Sequence, residues 1–316
     1  MNKTGFHIDF FGKRKIFFGI SIALIAAGLI FNLVLGTKLD LQFAGGAVIK
    51  YSVSGGEVST DEIENIIKEK MEKDSTVALN SIIGSDDLQV TISFAGNQGI
   101  TPQQQQDMAE ILSTEYEAMT FSLVESSSVD PTMGSKFLQK CLVCLAITVV
   151  FLLIYIAFRF KKIGGLSAGI SSIIALLHDV LITYFIFVVF GIKLNDIFIA
   201  VILTILGYSL NDTIVIYDRI RENKRLMGPK ADYGEVMNLS LNQTLSRTIL
   251  TSLTTLLALL VVYIVAAIYG LTSVTTFALP MMGGIIAGCY SSLVIATPIY
   301  TMWQKRNLAK SKKTRA

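Results

Sequence analysis

The sequence predicts an all-α membrane bundle of six transmembrane helices carrying one extracytoplasmic α+β domain of ferredoxin-like β-α-β-β-α-β order. Three observations predict it. Six apolar runs of roughly 20 residues are each long enough to cross about 30 Å of hydrocarbon. Hydrophobic residues fill 52% of the 316 positions and charged residues only 16%, the composition of a polytopic membrane protein with a modest soluble part. Charge is also divided by region. Residues 37–136 hold 6 Lys and Arg against 16 Asp and Glu, whereas the remainder holds 21 basic against 8 acidic residues. The acidic block is therefore one soluble domain, and the basic residues lie mostly beside the spans.

The first span covers about residues 16–35, behind Lys13, Arg14 and Lys15. It is longer than a secretory signal core, and Asn32-Leu-Val-Leu-Gly36 offers no small-x-small cleavage site, so it reads as a retained anchor. In the acidic domain, residues 39–53 read as a strand interrupted by Gly45-Gly46. Ile63, Ile66, Ile67 and Met71 then recur at helical spacing over 61–73, with Ser59 or Thr60 as N-cap and Glu62 completing a capping pattern. Residues 77–83 and 88–94 read as a hairpin around Gly84-Ser-Asp-Asp87. A second helix starts behind Thr101-Pro102 and runs to about residue 118, and residues 121–129 supply the fourth strand. That order is a split β-α-β unit. Its carboxylates read as a solvated surface rather than a metal site.

The remaining spans fall near 137–158, 164–190, 196–217, 247–269 and 274–299. Arg159, Lys161 and Lys162 join the second to the third. Arg219, Arg221, Lys224, Arg225 and Lys230 join the fourth to the fifth, and six basic residues follow the last span. The alternate connections hold only Lys193. The positive-inside rule puts both termini in the cytosol and the acidic domain outside. The domain plan is thus 1–36, a cytosolic N-terminus and first span; 37–136, the extracytoplasmic domain; 137–301, the other five spans; and 302–316, a basic cytosolic tail.

Chemistry is concentrated in the fourth and fifth spans. Asn211 and Asp212 sit at membrane depth, where an ionisable side chain costs a few kcal/mol and marks a functional site by default. With the fourth span ending near Tyr217, Asp212 lies about 8 Å inside it; with the fifth helix starting near Ser240, Arg247 lies about 10 Å along. Similar depths on consecutive antiparallel spans favour pairing, which relieves the cost of burying either charge alone. Thr251, Thr254 and Thr255 continue one face from Arg247, and Tyr208 and Thr204 continue one from Asp212. Two such polar stripes can order water and pass protons; alternatively, the two charges form a static ion pair. His178 and Asp179, midway along the third span, either extend the path outward or bond neighbouring Ser and Thr residues to hold helices together. The C-x-x-C of Cys141 and Cys144 has no second pair and lies in an apolar helix, so these thiols, like Cys289, read as packing residues. Gly284-x-x-x-Gly288 in the last span allows close helix approach.

The run Leu206-Gly-Tyr-Ser-Leu-Asn-Asp-Thr-Ile-Val, followed by Asp218-Arg-Ile-Arg-Glu-Asn223, resembles the signature of the SecD/SecF family of Sec protein-translocase subunits, in the RND-like superfamily. Leu241-Asn-Gln-Thr-Leu-Ser-Arg-Thr248, Gly288-Cys-Tyr-Ser-Ser292 and the basic Gly12-Lys-Arg-Lys15 support it. The short external domain is similar to the SecF branch rather than the SecD branch. One departure is visible: the family has Asp before Phe-x-Gly-Gly, and this chain has Gln42-Phe-Ala-Gly-Gly46. The resemblance implies a proton-driven subunit of the bacterial cytoplasmic membrane, without a covalent catalytic site, cofactor, metal or nucleic-acid partner. It implies pairing with SecD, work with SecA and SecYEG on a translocating preprotein, and contact with membrane lipid. Protons are the coupling ion, consistent with the lack of an ATP-binding P-loop. Asp212 and Arg247 match the family's relay positions, with Asn211, Tyr208, Thr251, Asp179 and His178 as possible support. The alternatives are half of another RND-like exporter of lipid or small molecules, or a passive scaffold.

Overall fold

Six helices of the computed structural model are long and apolar enough to cross a membrane: Arg14–Leu35, Met133–Arg159, Gly165–Val189, Asp196–Met227, Tyr233–Ile268 and Thr272–Ala309. The structure describes residues 8–54, 58–73, 75–81, 88–95, 100–116, 119–129, 131–228 and 231–315. They form two compact units. One comprises residues 39–143 with 194–196, and the other comprises the remainder.

The first unit contains a mixed α/β domain. A short helix α2 (Leu41–Ala44) precedes β1 (Gly46–Ser54), α3 (Thr60–Met71), β2 (Thr76–Ser81), β3 (Leu88–Ala95), α4 (Pro102–Glu115) and β4 (Thr120–Val129). The sheet order is β2-β3-β1-β4, and every adjacent pair is antiparallel. Alternation in β1 buries Ala47, Ile49, Tyr51 and Val53, which pack with Ile63 and Ile67 of α3 and Met108 and Leu112 of α4. Thr101 and Gln104 close a capping box at the start of α4. Ser59 is the N-cap of α3 but makes no side-chain cap bond. The Gly84-Ser-Asp-Asp87 turn and residues 117–118 lie outside the described residues.

The expected strand over 39–53 is corrected in its first half. Leu41–Ala44 is a helical turn closed by the Gly45 N–H on the Leu41 carbonyl at 2.8 Å. Leu39 still bridges Leu194, in parallel. The two glycines explain the switch, since Gly45 has φ 76° and Gly46 φ 122°, conformations that side-chain-bearing residues avoid. At Gly46 there is also no room, because a Cβ would lie 2.1 Å from the Phe94 carbonyl oxygen of β3. Gly46→Ala is therefore expected to cost about 3 kcal/mol through combined strain and overlap. Hydrogen exchange of the β3 amides would read it, and unchanged protection would refute it.

The helical unit contains α1 (Arg14–Leu35), the greater part of α5 (Pro131–Arg159), α6 (Gly165–Val189), α7 (Asp196–Met227) apart from its first residue, α8 (Tyr233–Ile268), α9 (Thr272–Ser291) and α10 (Thr297–Arg315). A π-helical turn, Ser292–Ala296, joins α9 to α10 without a break. The glycines of α9 pack within the chain. A Cβ at Gly284 would meet Ile205 of α7 at 2.0 Å, and one at Gly283 would meet Ile186 of α6 at 2.1 Å.

Two helix ends are corrected. The fourth long helix continues past Tyr217 to Met227, and the fifth starts at Tyr233 rather than near Ser240. Charged residues end an apolar run but not a helix, and polar contacts hold the extra turns together. Asn223 Nδ2 donates to Ser240 Oγ at 2.9 Å and Gln243 Oε1 at 2.7 Å, while Asn238 and Asn242 accept from the Phe11 and Ile8 amides at 3.0 Å.

Asp232 caps α8, accepting from the Gly234 N–H at 2.9 Å and pairing with Lys305 at 2.8 Å. Its hydrogen bond to the Lys305 ammonium, with help from the Gly234 amide, holds its carboxyl below the usual carboxylate range. The depressed value means the contribution is fully present above the unfolded carboxylate pKa and is lost as pH falls through the folded one. Asp232→Ala is expected to cost about 1 kcal/mol near neutral pH. A thermal-melting series should show the difference vanishing in acid.

Candidate polar site in the helical unit

One face of α7 is buried at three- and four-residue spacing through Ser209, Asp212, Thr213, Ile216, Ile220 and Asn223. This stripe carries polar atoms into the interior because its apolar neighbours share the face. Asp212 is 4% exposed, and its Oδ2 has no hydrogen-bond partner among the described residues. Thr248 Oγ1 on α8 is likewise buried without a partner. Tyr208 of α7 donates to Ser252 Oγ of α8 at 3.4 Å, which fixes the register. One turn further along both antiparallel helices, Asp212 comes level with Thr248.

Arg247 acts on Asp212 through space, but the described residues include no direct hydrogen bond or ion pair between them. Asp212 stands fifteen residues before the end of α7 and Arg247 fourteen after the start of α8.

The expected facing stripes are arranged differently. Asn211, Thr204, Arg247, Thr251 and Thr254 are exposed on the outside of the unit, and Tyr208 and Thr255 turn partly inward. The threonine hydroxyls bond back along their own helix. Thr251 donates to the Arg247 carbonyl at 3.0 Å, and Thr254 and Thr255 donate to the Thr251 carbonyl at 2.9 Å.

His178 and Asp179 form a second group on α6. Asp179 is fully buried. Its Oδ1 lies 3.0 Å from His178 Nδ1, and its Oδ2 accepts from Ser209 Oγ at 2.6 Å and Ser291 Oγ at 2.8 Å. One carboxylate thus ties α6, α7 and α9 together. The network continues below it. Thr213 Oγ1 lies 3.0 Å from Ser292 Oγ, and Ser292 Oγ donates to the Ser209 carbonyl at 3.2 Å. Tyr217 meets Ser171 at 3.2 Å and the Ala296 carbonyl at 3.4 Å. Sequence reasoning did not single out Ser209, Thr213, Ser291 or Ser292 as site residues. The sequence offered no signal for them beyond the adjacent Ser291-Ser292 pair; the structure places that pair at the entry to a π turn, an irregularity frequent at functional sites.

Among the described residues, no group of three or more His, Cys, Asp or Glu side chains is placed to hold a metal. Cys141, Cys144 and Cys289 form no disulfide among the described residues.

The family profile described as protein export membrane protein SecD/SecF, C-terminal, matches residues 109–306. The chain belongs to the SecD/SecF family. Protein translocase subunit SecF of Cereibacter sphaeroides is 34% identical over 308 residues, covering 93% of this chain and 88% of that protein. SecF of Petrotoga mobilis is 34% identical over 303 residues, covering 95% and 97%. Protein translocase subunit SecDF of Bacillus subtilis is 34% identical over 304 residues, but the chain spans only 39% of its length. The crystal structure of SecDF from Thermus thermophilus, a translocon-associated membrane protein, superposes with a TM-score of 0.76 at 27% identity. That match covers 96% of this chain and 40% of SecDF. A SecDF structure in a super-membrane-facing form gives a TM-score of 0.68.

Proposed function

We propose that this chain is the SecF-type subunit of a Sec protein translocase and, with a SecD subunit, uses the proton motive force to promote preprotein translocation after SecA and SecYEG have acted. The observation that carries the proton step is Asp212, a buried carboxylate whose Oδ2 has no hydrogen-bond partner among the described residues, level with the likewise unbonded Thr248 Oγ1 and within electrostatic reach of Arg247. A carboxylate at membrane depth exchanges a proton between its two charge states, and each charge crossing 100 mV supplies about 2.3 kcal/mol. That energy biases a two-state movement of the soluble domain on which the preprotein would be held. Arg247 supplies the nearby positive charge, Tyr208 orders the approach, and Thr251 and Asn211 complete the polar surface around it.

The partner reading rests on exposure. Asn211, Thr204, Arg247 and Thr251 are polar residues on the outer face of membrane helices, where contact with lipid tails is costly and a second polar helical bundle removes the cost. A SecD subunit is the occupant the family supplies. Positive-inside charge supports cytosolic termini and an extracytoplasmic α/β domain. The antiparallel order β2-β3-β1-β4, with α3 and α4 as crossovers, supports reading that domain as ferredoxin-like. For Asp179 and His178, hydrogen bonds to Ser209 and Ser291 favour a helix-holding role over a mobile relay.

Affinity purification of the chain from native membranes tests the assembly. SecD is expected to co-purify, and a charge-reversing Arg247→Glu is expected to reduce its recovery several-fold. Purification without SecD would overturn the assignment.

A further inference from the structure

The geometry points to a binding site for a phosphate-bearing anion at the basic end of the helical unit. A cavity of about 730 Å³ opens there between the turn Lys161–Ile163, the end of α7 and the start of α8. Four cations line it, Lys162, Arg221, Lys224 and Arg225, against the carboxylates Asp218 and Glu222.

The carboxylates do not neutralise the cavity, because each is also held by a guanidinium from outside its lining, Arg159 or Arg219. Asp218 pairs with Arg159 at 3.2 Å and Arg221 at 2.5 Å. Glu222 pairs with Arg219, which is not among the cavity's lining residues, at 2.6 Å. Lys162 and Arg225 are exposed and have no carboxylate partner among the described residues. Lys224 is fixed in place, with its Nζ donating to the Ala231 carbonyl at 2.8 Å and sitting 4.2 Å over the Tyr233 ring. Cations drawn around one cavity repel one another, and an anion with several oxygens turns that repulsion into attraction. An ammonium beside a forked guanidinium suits phosphate oxygens, which accept several hydrogen bonds at once.

Two sources share this chemistry, a phospholipid headgroup and a soluble phosphate. The surroundings favour the lipid. Lys162 sits where α5 turns into α6, at the end of the apolar spans. Leu226 and Met227, next to Lys224 and Arg225, are 69% and 41% exposed and offer an apolar lip to acyl chains. Basic pockets between membrane helices on this side recognise acidic headgroups.

The test uses the full chain in detergent, titrated separately with phosphatidylglycerol, phosphatidylcholine and inorganic phosphate, with bound ligand counted by native mass spectrometry. Phosphatidylglycerol is expected to bind, and the double variant Lys162→Gln, Arg225→Gln is expected to weaken it at least ten-fold. A control variant, Lys13→Gln with Lys15→Gln, removes two other exposed cations near the same end and is expected to leave binding within two-fold. Because Lys162 and Arg225 are exposed, the double variant should melt as wild type without ligand, so loss of binding reports the site. Inorganic phosphate binding with the same sensitivity would make soluble phosphate the source and keep the site. Equal binding by the double variant, or an equal loss in the control, would overturn it.

Discussion

Asp212→Asn is expected to abolish the proton-dependent part of preprotein translocation while leaving the chain folded and bound to its partner. Asparagine keeps the size of the side chain and removes its exchangeable charge. The swap should be tolerated, because Asp212 Oδ2 has no hydrogen bond to lose, and stability is expected to change by no more than about 1 kcal/mol. In membrane vesicles energised with a proton gradient, the variant should translocate no faster than wild type treated with an ionophore. Arg247→Met should give the same kinetic result, since it removes the charge acting on Asp212. Arg247→Lys keeps that charge and should retain part of the stimulation. Full stimulation in Asp212→Asn would sink the relay and favour a scaffold in which these charges only stabilise helices.

The second large effect concerns Asp179, and it is one of stability. Asp179→Ala removes the acceptor for Ser209 and Ser291 and the partner of His178 Nδ1 in a fully buried place. Breaking a buried charged network by removing one member costs about 3–5 kcal/mol. Asp179→Asn keeps one acceptor oxygen and should cost about 1–2 kcal/mol. Melting followed by fluorescence-detected size exclusion would rank the two variants against wild type. If Asp179→Asn instead melts normally and loses proton-dependent stimulation, Asp179 belongs to the relay and not to the helix clamp.

The membrane spans were legible because length and apolarity alone identify a helix that must satisfy its backbone inside lipid. The strands were legible from alternation, as the buried set Ala47, Ile49, Tyr51 and Val53 illustrates. Two features were misread, for different reasons. The turn at Leu41–Ala44 is set by the backbone conformations of Gly45 and Gly46, whereas the outer ends of α7 and α8 are set by contacts distant in sequence, such as the Asn223 bond to Ser240 and the Asn238 bond to Phe11. Local pattern reports which face is apolar, not whether a polar helix end finds a partner.

The candidate site divides along the same line. Asp212 and Arg247 stood out in sequence because charge at membrane depth is costly wherever the helix points, and cost is a property of residue type and depth. Family membership was also legible, since the Asn-Asp-Thr run and Asp218-Arg-Ile-Arg-Glu-Asn223 are contiguous. Direction was not. Only the tertiary structure decided that Asp212 turns inward while Asn211 and Arg247 turn outward, and that Asp179 reaches Ser209 and Ser291 on two other helices. A serine costs little to bury and carries no periodic signal, so its role depends entirely on what the packed helices place within about 3 Å of it.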